Sequence, residues 1–422
     1  MNNARLGFIS ESGWKVFFLW VRLRLKINLF PKIAVILVGM FTVNSGSAKS
    51  NDNMNIINII VQAMAKYHIP SMAIVTFNSQ GILQKEIRGR RRAEAEELAQ
   101  LNDYYHIGSS AKSLLAISAG KLVEQGKMTW ETKFFDVFPE LKSESRPEYF
   151  DITLNTLLSC RSGMQPFTSY LEMKGLNEKQ KSKQLEFVKY LVKQTPVSKE
   201  INGEFEFVYS NSSYTMAAMM LERITGSSWE EIIANGLAKE IGLSVIFDWP
   251  NSNESEQPWG HTKIGDAPYA DWLEWQQIND IDFDPNELYA FSPDNKFRLP
   301  SVIAPAGDLS MSPLDYAKYG HIHLQGLMGE DNYVSSETYD IIHNRYQGFS
   351  YGVVNIDSLG EKIFTYSGSA GTFYAVTMLF PDSDFGYVIL SNSGSSEAVQ
   401  GINWASEKVI KQRFNLWWMF WS

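Results

Sequence analysis

The chain is predicted to be an α+β protein, with strands at both ends and helices in the middle. Three observations lead to this. Two β-rich runs, "SMAIVTF" and "ILQKEIR", stand near the start, and three more, "KIFTYSG", "TFYAVTMLF" and "GYVILSN", come only after residue 361. Between them, from Ser109 to about Pro250, the apolar spacing is mostly helical. The short turn signals between neighbouring runs favour hairpins, and hairpins favour an antiparallel sheet. The economical architecture is one antiparallel sheet of about five strands, flanked by the terminal helices, with a helical domain inserted. Residues 52–108 and 290–414 are expected to form the sheet domain and 109–289 the helical domain with an irregular connection. A crevice between the two would be the natural ligand site.

Taken in order, Arg22, Arg24, Lys26 and Lys32 precede the apolar run "IAVILVGMFTV" (Ile33 to Val43), and the small residues "NSGSAKS" follow it. That is a basic leader, an apolar segment of signal-peptide length and a cleavage site after Ala48. Residues 1–48 are therefore expected to be a signal peptide or an uncleaved N-terminal membrane anchor, giving a periplasmic or extracellular protein. The stretch "NMNIINIIVQAMAKYHIP" has helical spacing and ends before Pro70. The tetrapeptide "NSQG" joins the first two strands, and "GRRRAEAEELAQLND" reads as a polar loop. Ser228 and Glu231 form a capping box that starts "SSWEEIIANGLAKEIG" as a helix. Residues 250–300 are rich in Pro, Asn, Asp and Trp and read as an irregular connection. The turn "PDSDF" joins the last two strands, and "EAVQGINWASEKVIKQRF" is a closing helix. The aromatic tail 415–422, "NLWWMFWS", either dips into a membrane interface, packs on the body or is partly disordered.

At 422 residues, 44% hydrophobic and 20% charged, the chain has the composition of a globular protein of one or two domains. A net charge of −9, with the acidic residues dispersed, argues against a nucleic-acid surface. The single cysteine, Cys160, rules out an intrachain disulfide and argues against a cysteine-based zinc site. His321 and His323, two apart on a helix, point to different faces, so no metal is expected. There is no phosphate-cradling glycine loop, no Gly-x-Ser-x-Gly elbow and no His-Glu-x-x-His pair. No cofactor is expected, and the chemistry narrows to what Ser and Lys can do.

Ser109 and Lys112 stand three apart in "YYHIGSSAKSLLAISAGKL". If Ser109 opens a helix, Lys112 lies one turn along on the same face. Burial and the positive end of the helix dipole would both lower the lysine's pKa, letting it take the serine proton. The Ser109 N–H would then point toward a developing oxyanion. The same pattern also fits a helix capped by Ser109 or Ser110 with a solvated lysine, and it recurs at Ser12/Lys15 and Ser118/Lys121. A second stretch, "FVYSNSSYTMAAMMLERITG", places Tyr209, Ser210 and Asn211 where an extended run becomes a helix. Tyr209 could relay protons and Asn211 could bind a substrate amide or hold Lys112 in place, or they could be a half-buried anchor and an N-cap. In "FTYSGSAGTF", Ser367 and Gly368 end a strand whose edge could pair with an extended acyl chain, or form a tight turn.

In this order and spacing the three pieces resemble the serine β-lactamase and penicillin-binding-protein superfamily, in its class C-like branch of β-lactamases, D,D-peptidases and esterases. The likeness runs from about Asn55 to Phe414. Ser-x-x-Lys stands as "SSAK", Tyr-x-Asn as "YSN" and the Lys/His-Thr/Ser-Gly strand motif as "YSG". "ITLNTLLSCRSGM", "APAGDLSMSPLDYAKYG" and "FPDSDFGYVILSNSG" add family-like stretches, and a counterpart of the class A loop glutamate is not found. The resemblance implies a β-lactamase/transpeptidase-like fold. It makes Ser109 the acylated nucleophile, Lys112 its proton acceptor, Tyr209 the relay and activator of the deacylating water, and Asn211 a substrate-amide contact. Tyr366, Ser367 and Gly368 would bind substrate, and the backbone N–H groups of Ser109 and Ser369 would form the oxyanion hole.

One position departs. Tyr366 stands where the motif has Lys or His, and a phenol brings no charge at neutral pH. Lys362 and Arg298 are alternative cations. The departure shifts the expectation from β-lactam hydrolysis toward an exported hydrolase of esters or small amides and peptides, expected as a monomer. The other reading is a penicillin-binding-like binding or sensing module without turnover.

Overall fold

The computed structural model describes residues 54–252, 256–263, 287–295, 298–358 and 360–415. The expected N-terminal address and, apart from Asn415, the aromatic tail lie outside them. No helix of the described residues is long and apolar enough to cross a membrane.

Helix α1 (Ile56–Tyr67) starts where the Asn55 side chain accepts from Asn58 N–H and stops at His68, whose φ of 51° is left-handed. Its buried Ile56, Ile59, Ile60 and Ala63 follow the three- and four-residue spacing of one helix face. Strands β1 (Ser71–Asn78) and β2 (Gly81–Gly89) form the first hairpin. Helices α2 (Ala111–Glu124), α3 (Asn211–Thr225), α4 (Pro313–Leu327) and α5 (Ser336–Asn344) occupy the middle of the chain. Strands β3 (Gly348–Phe349), β4 (Val354–Ser358), β5 (Glu361–Gly368), β6 (Tyr374–Phe380) and β7 (Phe385–Ser391) lead to α6 (Ser396–Arg413). The expected capping box forms before the helical segment at 229–241, with Glu231 N–H donating to Ser228 Oγ and Ser228 N–H donating to the Glu231 carboxylate.

The sheet is antiparallel and seven-stranded, in the order β3-β4-β5-β6-β7-β1-β2. That is two more strands than the sequence suggests. β3 has two residues, and the five of β4 include Asn355 and Asp357, so neither carries a run of strand-favouring residues. The N- and C-terminal parts of the chain meet at the β1–β7 ladder, where Ile74 opposes Ile389 and Val75 opposes Val388. Alternation then sends Met72, Ile74, Val376 and Ile389 to the face under α1 and α6, while Val75, Phe77, Val388 and Leu390 enter the core under α4. β6 and β7 are buried along their whole length. Both faces are covered, which is why their sequences read as continuous apolar runs.

Candidate active site

The chain enters α2 through a 3-10 turn, Gly108–Ser110, which the surrounding side chains hold in place. Gly108 N–H donates to His106 Nδ1 (3.2 Å), so His106 Nε2 carries the ring hydrogen and donates to Asp308 (3.2 Å). The His106 ring stacks on Trp249 at 4.5 Å. Ser110 is buried, its hydroxyl accepting from Tyr316 (2.8 Å), and it makes no helix-capping bond. Ser118 is likewise buried and donates to Leu114 C=O (2.8 Å). Ser109 alone of the three meets a lysine, with Lys112 Nζ 3.3 Å from its Oγ.

Lys112 is 1% exposed, and burial pulls its pKa down from 10.5 to about 7. Nζ lies 2.7 Å from Asn211 Oδ1 and 2.8 Å from Ala306 O. Both are carbonyl oxygens and only accept, so a neutral amine spends its two N–H groups on them and turns its lone pair to the Ser109 hydroxyl. The rings of Tyr209 and Tyr214, centred 4.8 and 5.4 Å from Nζ, favour the ammonium, but no carboxylate of the described residues comes near enough to hold it charged at high pH. Gly352 packs against this lysine, since a Cβ there would lie 2.9 Å from Lys112 C.

Tyr209 is half-buried, its ring edge-on to Phe349 at 5.8 Å. Ser210 rather than Asn211 caps α3, accepting from Ser213 N–H (3.0 Å). This leaves the Asn211 side chain free to bridge Lys112 and Phe167 C=O (2.8 Å). Cys160 lies beneath, its thiol pushed up to about 11 by burial, which makes it a packing group at neutral pH.

The end of β5 comes against the serine turn. Gly108 has φ +52°, and a Cβ on it would lie 2.4 Å from Ser369 N; a Cβ on Gly368 would lie 2.3 Å from Ser109 N. Only glycine at both places permits this approach. The Ser109 and Ser369 amides thus lie on adjoining backbones, and neither has an acceptor among the described residues. The β4 ladder ends at Thr365, so among the described residues no strand lies beside the outer edge of Tyr366–Gly368.

The structure does not put Tyr366 on an open pocket wall. It is 2% exposed, with its ring among Tyr316, Tyr319 and His323, and burial raises its phenol well above the ordinary range. The cause is strand alternation: Tyr366 shares with Gly368 the face packed on α2 and α4. Ser367 pairs with Val376 and falls on the opposite face. Nor do the alternative cations serve. Arg298 is spent on Asp248 (3.2 Å) and Ser252 (3.0 Å). Lys362 is exposed near the start of β5, about 13 Å along the strand from Tyr366. Sequence reasoning missed His106, Asp308 and Ala306, whose contacts join distant segments.

An antiparallel sheet with inserted helices and a half-buried serine beside a buried lysine defines the class of the serine β-lactamases and penicillin-binding proteins. The comparisons agree. Residues 56–410 match the Beta-lactamase family, and the chain belongs to that family. It is similar to protein flp of Staphylococcus aureus, 20% identical over 376 residues, covering 86% of this chain and 68% of that protein. Among solved structures it resembles the octameric penicillin-binding protein homologue of Pyrococcus abyssi (TM-score 0.64, 20% identity, 85% of this chain and 78% of that one). A class C β-lactamase of Rhodobacter sphaeroides (TM-score 0.63, 14% identity, 84% and 98%) shares the fold. So does the D-amino acid amidase of Ochrobactrum anthropi SV3 (TM-score 0.65, 16% identity, 86% and 98%).

Proposed function

We infer that the chain is an exported serine acyl hydrolase acting on an ester or a small amide or peptide. The observation that carries this is the uncharged-ready Lys112, buried, near pKa 7 and 3.3 Å from Ser109 Oγ. Lys112 Nζ takes the Ser109 proton as Oγ bonds to the substrate carbonyl carbon. The oxyanion is met by the Ser109 and Ser369 N–H groups. The proton passes through Lys112 and Tyr209 to the leaving alcohol or amine as its bond to the carbonyl breaks. Water, activated by Tyr209, then releases the acid and restores Ser109. Asn211 orients Lys112 and the substrate amide. Mass spectrometry after treatment with a fluorophosphonate should find one adduct, on Ser109. No adduct at high reagent concentration ends this reading.

A binding or sensing module is the second reading, favoured by the buried, uncharged Tyr366. Hydrolysis of p-nitrophenyl esters by the native chain and by Ser109→Ala separates the two. Equal rates would remove the enzyme.

A further inference from the structure

Arg161 carries a half-buried charge that the Glu204 carboxylate favours from nearby without forming an ion pair with it. Its guanidinium lies over the Tyr346 ring, 3.9 Å from the centroid, with the Phe207 ring at 5.6 Å. Nη1 donates to Ser159 C=O (3.0 Å) and Phe349 C=O (3.4 Å), which uses both of its hydrogens and fixes the plane. The nearby Glu204 accepts instead from the Tyr346 hydroxyl (2.5 Å), and no Asp or Glu of the described residues forms an ion pair with Arg161. Burial accordingly lowers the Arg161 pKa from its ordinary value. The edge formed by Nε and Nη2 has no acceptor among the described residues. Elsewhere in this chain the same edge grips a carboxylate: Arg91 donates through Nε and Nη2 to the two oxygens of Asp103 at 2.8 and 2.7 Å. That fork geometry is what a planar carboxylate fits best.

Arg161 also stands beside the reacting centre. Cys160 C=O accepts from Val208 N–H (3.0 Å) and Arg161 C=O from Phe205 N–H (3.2 Å), so its backbone runs along the segment that ends in Tyr209. The Phe349 ring, whose carbonyl holds the guanidinium, is the ring that meets Tyr209 edge-on, and Tyr209 covers Lys112 Nζ. Phe349 therefore meets both groups, the cation through its carbonyl and Tyr209 through its ring.

We propose that Arg161 is a substrate-binding residue that selects acyl substrates bearing a free carboxylate, gripping it through Nε and Nη2 against the Tyr346 and Phe207 rings. The inference rests on Ser109 being the reacting centre. The test compares p-nitrophenyl esters of glutaric acid (one carboxylate left free) and of valeric acid in the native chain, Arg161→Gln and Arg161→Lys. The native chain should prefer the glutarate ester by about 10- to 100-fold in kcat/KM, as charge-assisted bonds predict. The preference should vanish in Arg161→Gln and return in part in Arg161→Lys. A native chain without the preference, a preference that survives in Arg161→Gln, or an equal fall of both rates would each overturn the proposal. Should Arg161→Gln not fold, Arg161→Met, which keeps the stem over Tyr346, takes its place. Calorimetric titration of Ser109→Ala with glutaric acid monoamide and with valeramide needs no turnover. If the native chain hydrolyses neither ester, the catalytic reading fails. The titration then decides alone: tighter binding of the monoamide that is lost on adding Arg161→Gln upholds the carboxylate grip, and no difference overturns it.

Discussion

The pH dependence of Ser109 acylation follows from the position of one amine. With Lys112 near pKa 7, about 9% of it is neutral at pH 6 and about 91% at pH 8, so the acylation rate should rise about tenfold between them. Asn211→Leu sharpens the test. Its Oδ1, 2.7 Å from Nζ, bonds the ammonium more strongly than the amine, by about 1 kcal/mol. Removing it should move the inflection down by somewhat less than ~1 pH unit, since 1.36 kcal/mol corresponds to one unit. The assay is single-turnover labelling by a fluorophosphonate, which carries no titrating group of its own, from pH 5 to 9. A rate still rising tenfold per unit at pH 9, or a flat profile across this range, would refute the assignment of Lys112 as the base. An upward shift in Asn211→Leu would refute the role given to the amide oxygen.

Three further expectations are independent of that profile. Burying Lys112 costs the folded state stability below pH 7, and the cost is relieved as pH climbs from 7 toward 10.5, because the unfolded chain then holds the proton that the folded one has lost. Lys112→Met should therefore gain on the native chain by more at pH 6 than at pH 9, by about 2–3 kcal/mol in denaturant melts; an equal difference at both pH values would contradict it. Tyr209→Phe keeps the ring over Lys112 and removes only the hydroxyl, so ester turnover should drop by about 10²- to 10⁴-fold while the melting temperature holds, as steady-state kinetics and calorimetry would show. Gly368→Ala would set a methyl 2.1 Å from Ile107 O and 2.3 Å from Ser109 N, prying the two amides apart, and kcat should fall by about 10²- to 10³-fold.

The parts of the fold legible in the sequence were those written in local pattern. The β1–β2 hairpin, the capping box at Ser228 and the runs of β5, β6 and β7 each carry their signal within a few residues. β3 and β4 carry none: β4 forms on the edge that β5 offers, and β3 on the edge of β4. The site divides the same way. Ser109 and Lys112 meet within one helical turn, so their spacing alone could suggest the pair. Which serine faces the lysine was not local: Tyr316 and Tyr319, some 200 positions on, tie up Ser110 and Ser113 from the other side. Arg161 was invisible for the same reason, since the rings and carbonyls that fix it come from residues 159, 207, 346 and 349.

The buried Tyr366 changes how the site must generate its field. A lysine or histidine there would put a fixed positive charge behind the nucleophile, whereas a phenol held neutral adds only a dipole. Lys112 is itself close to half-neutral near pH 7, and Arg298 is matched by Asp248. What remains around Ser109 is a set of aligned backbone dipoles: the N-terminal end of α2, the Ser109 and Ser369 amides, and the N-terminal end of α3 beside Asn211. Such dipoles stabilise an oxyanion whatever the rest of the substrate carries. Under the proposed function they would serve esters as well as amides, and would leave attraction of a distant carboxylate to a separate cation. A field of this kind is short-ranged, so turnover of a neutral ester should be insensitive to salt between 20 and 500 mM. A rate that fell steeply with salt would show that a long-range charge still acts on Ser109, and the account of Tyr366 would have to be given up.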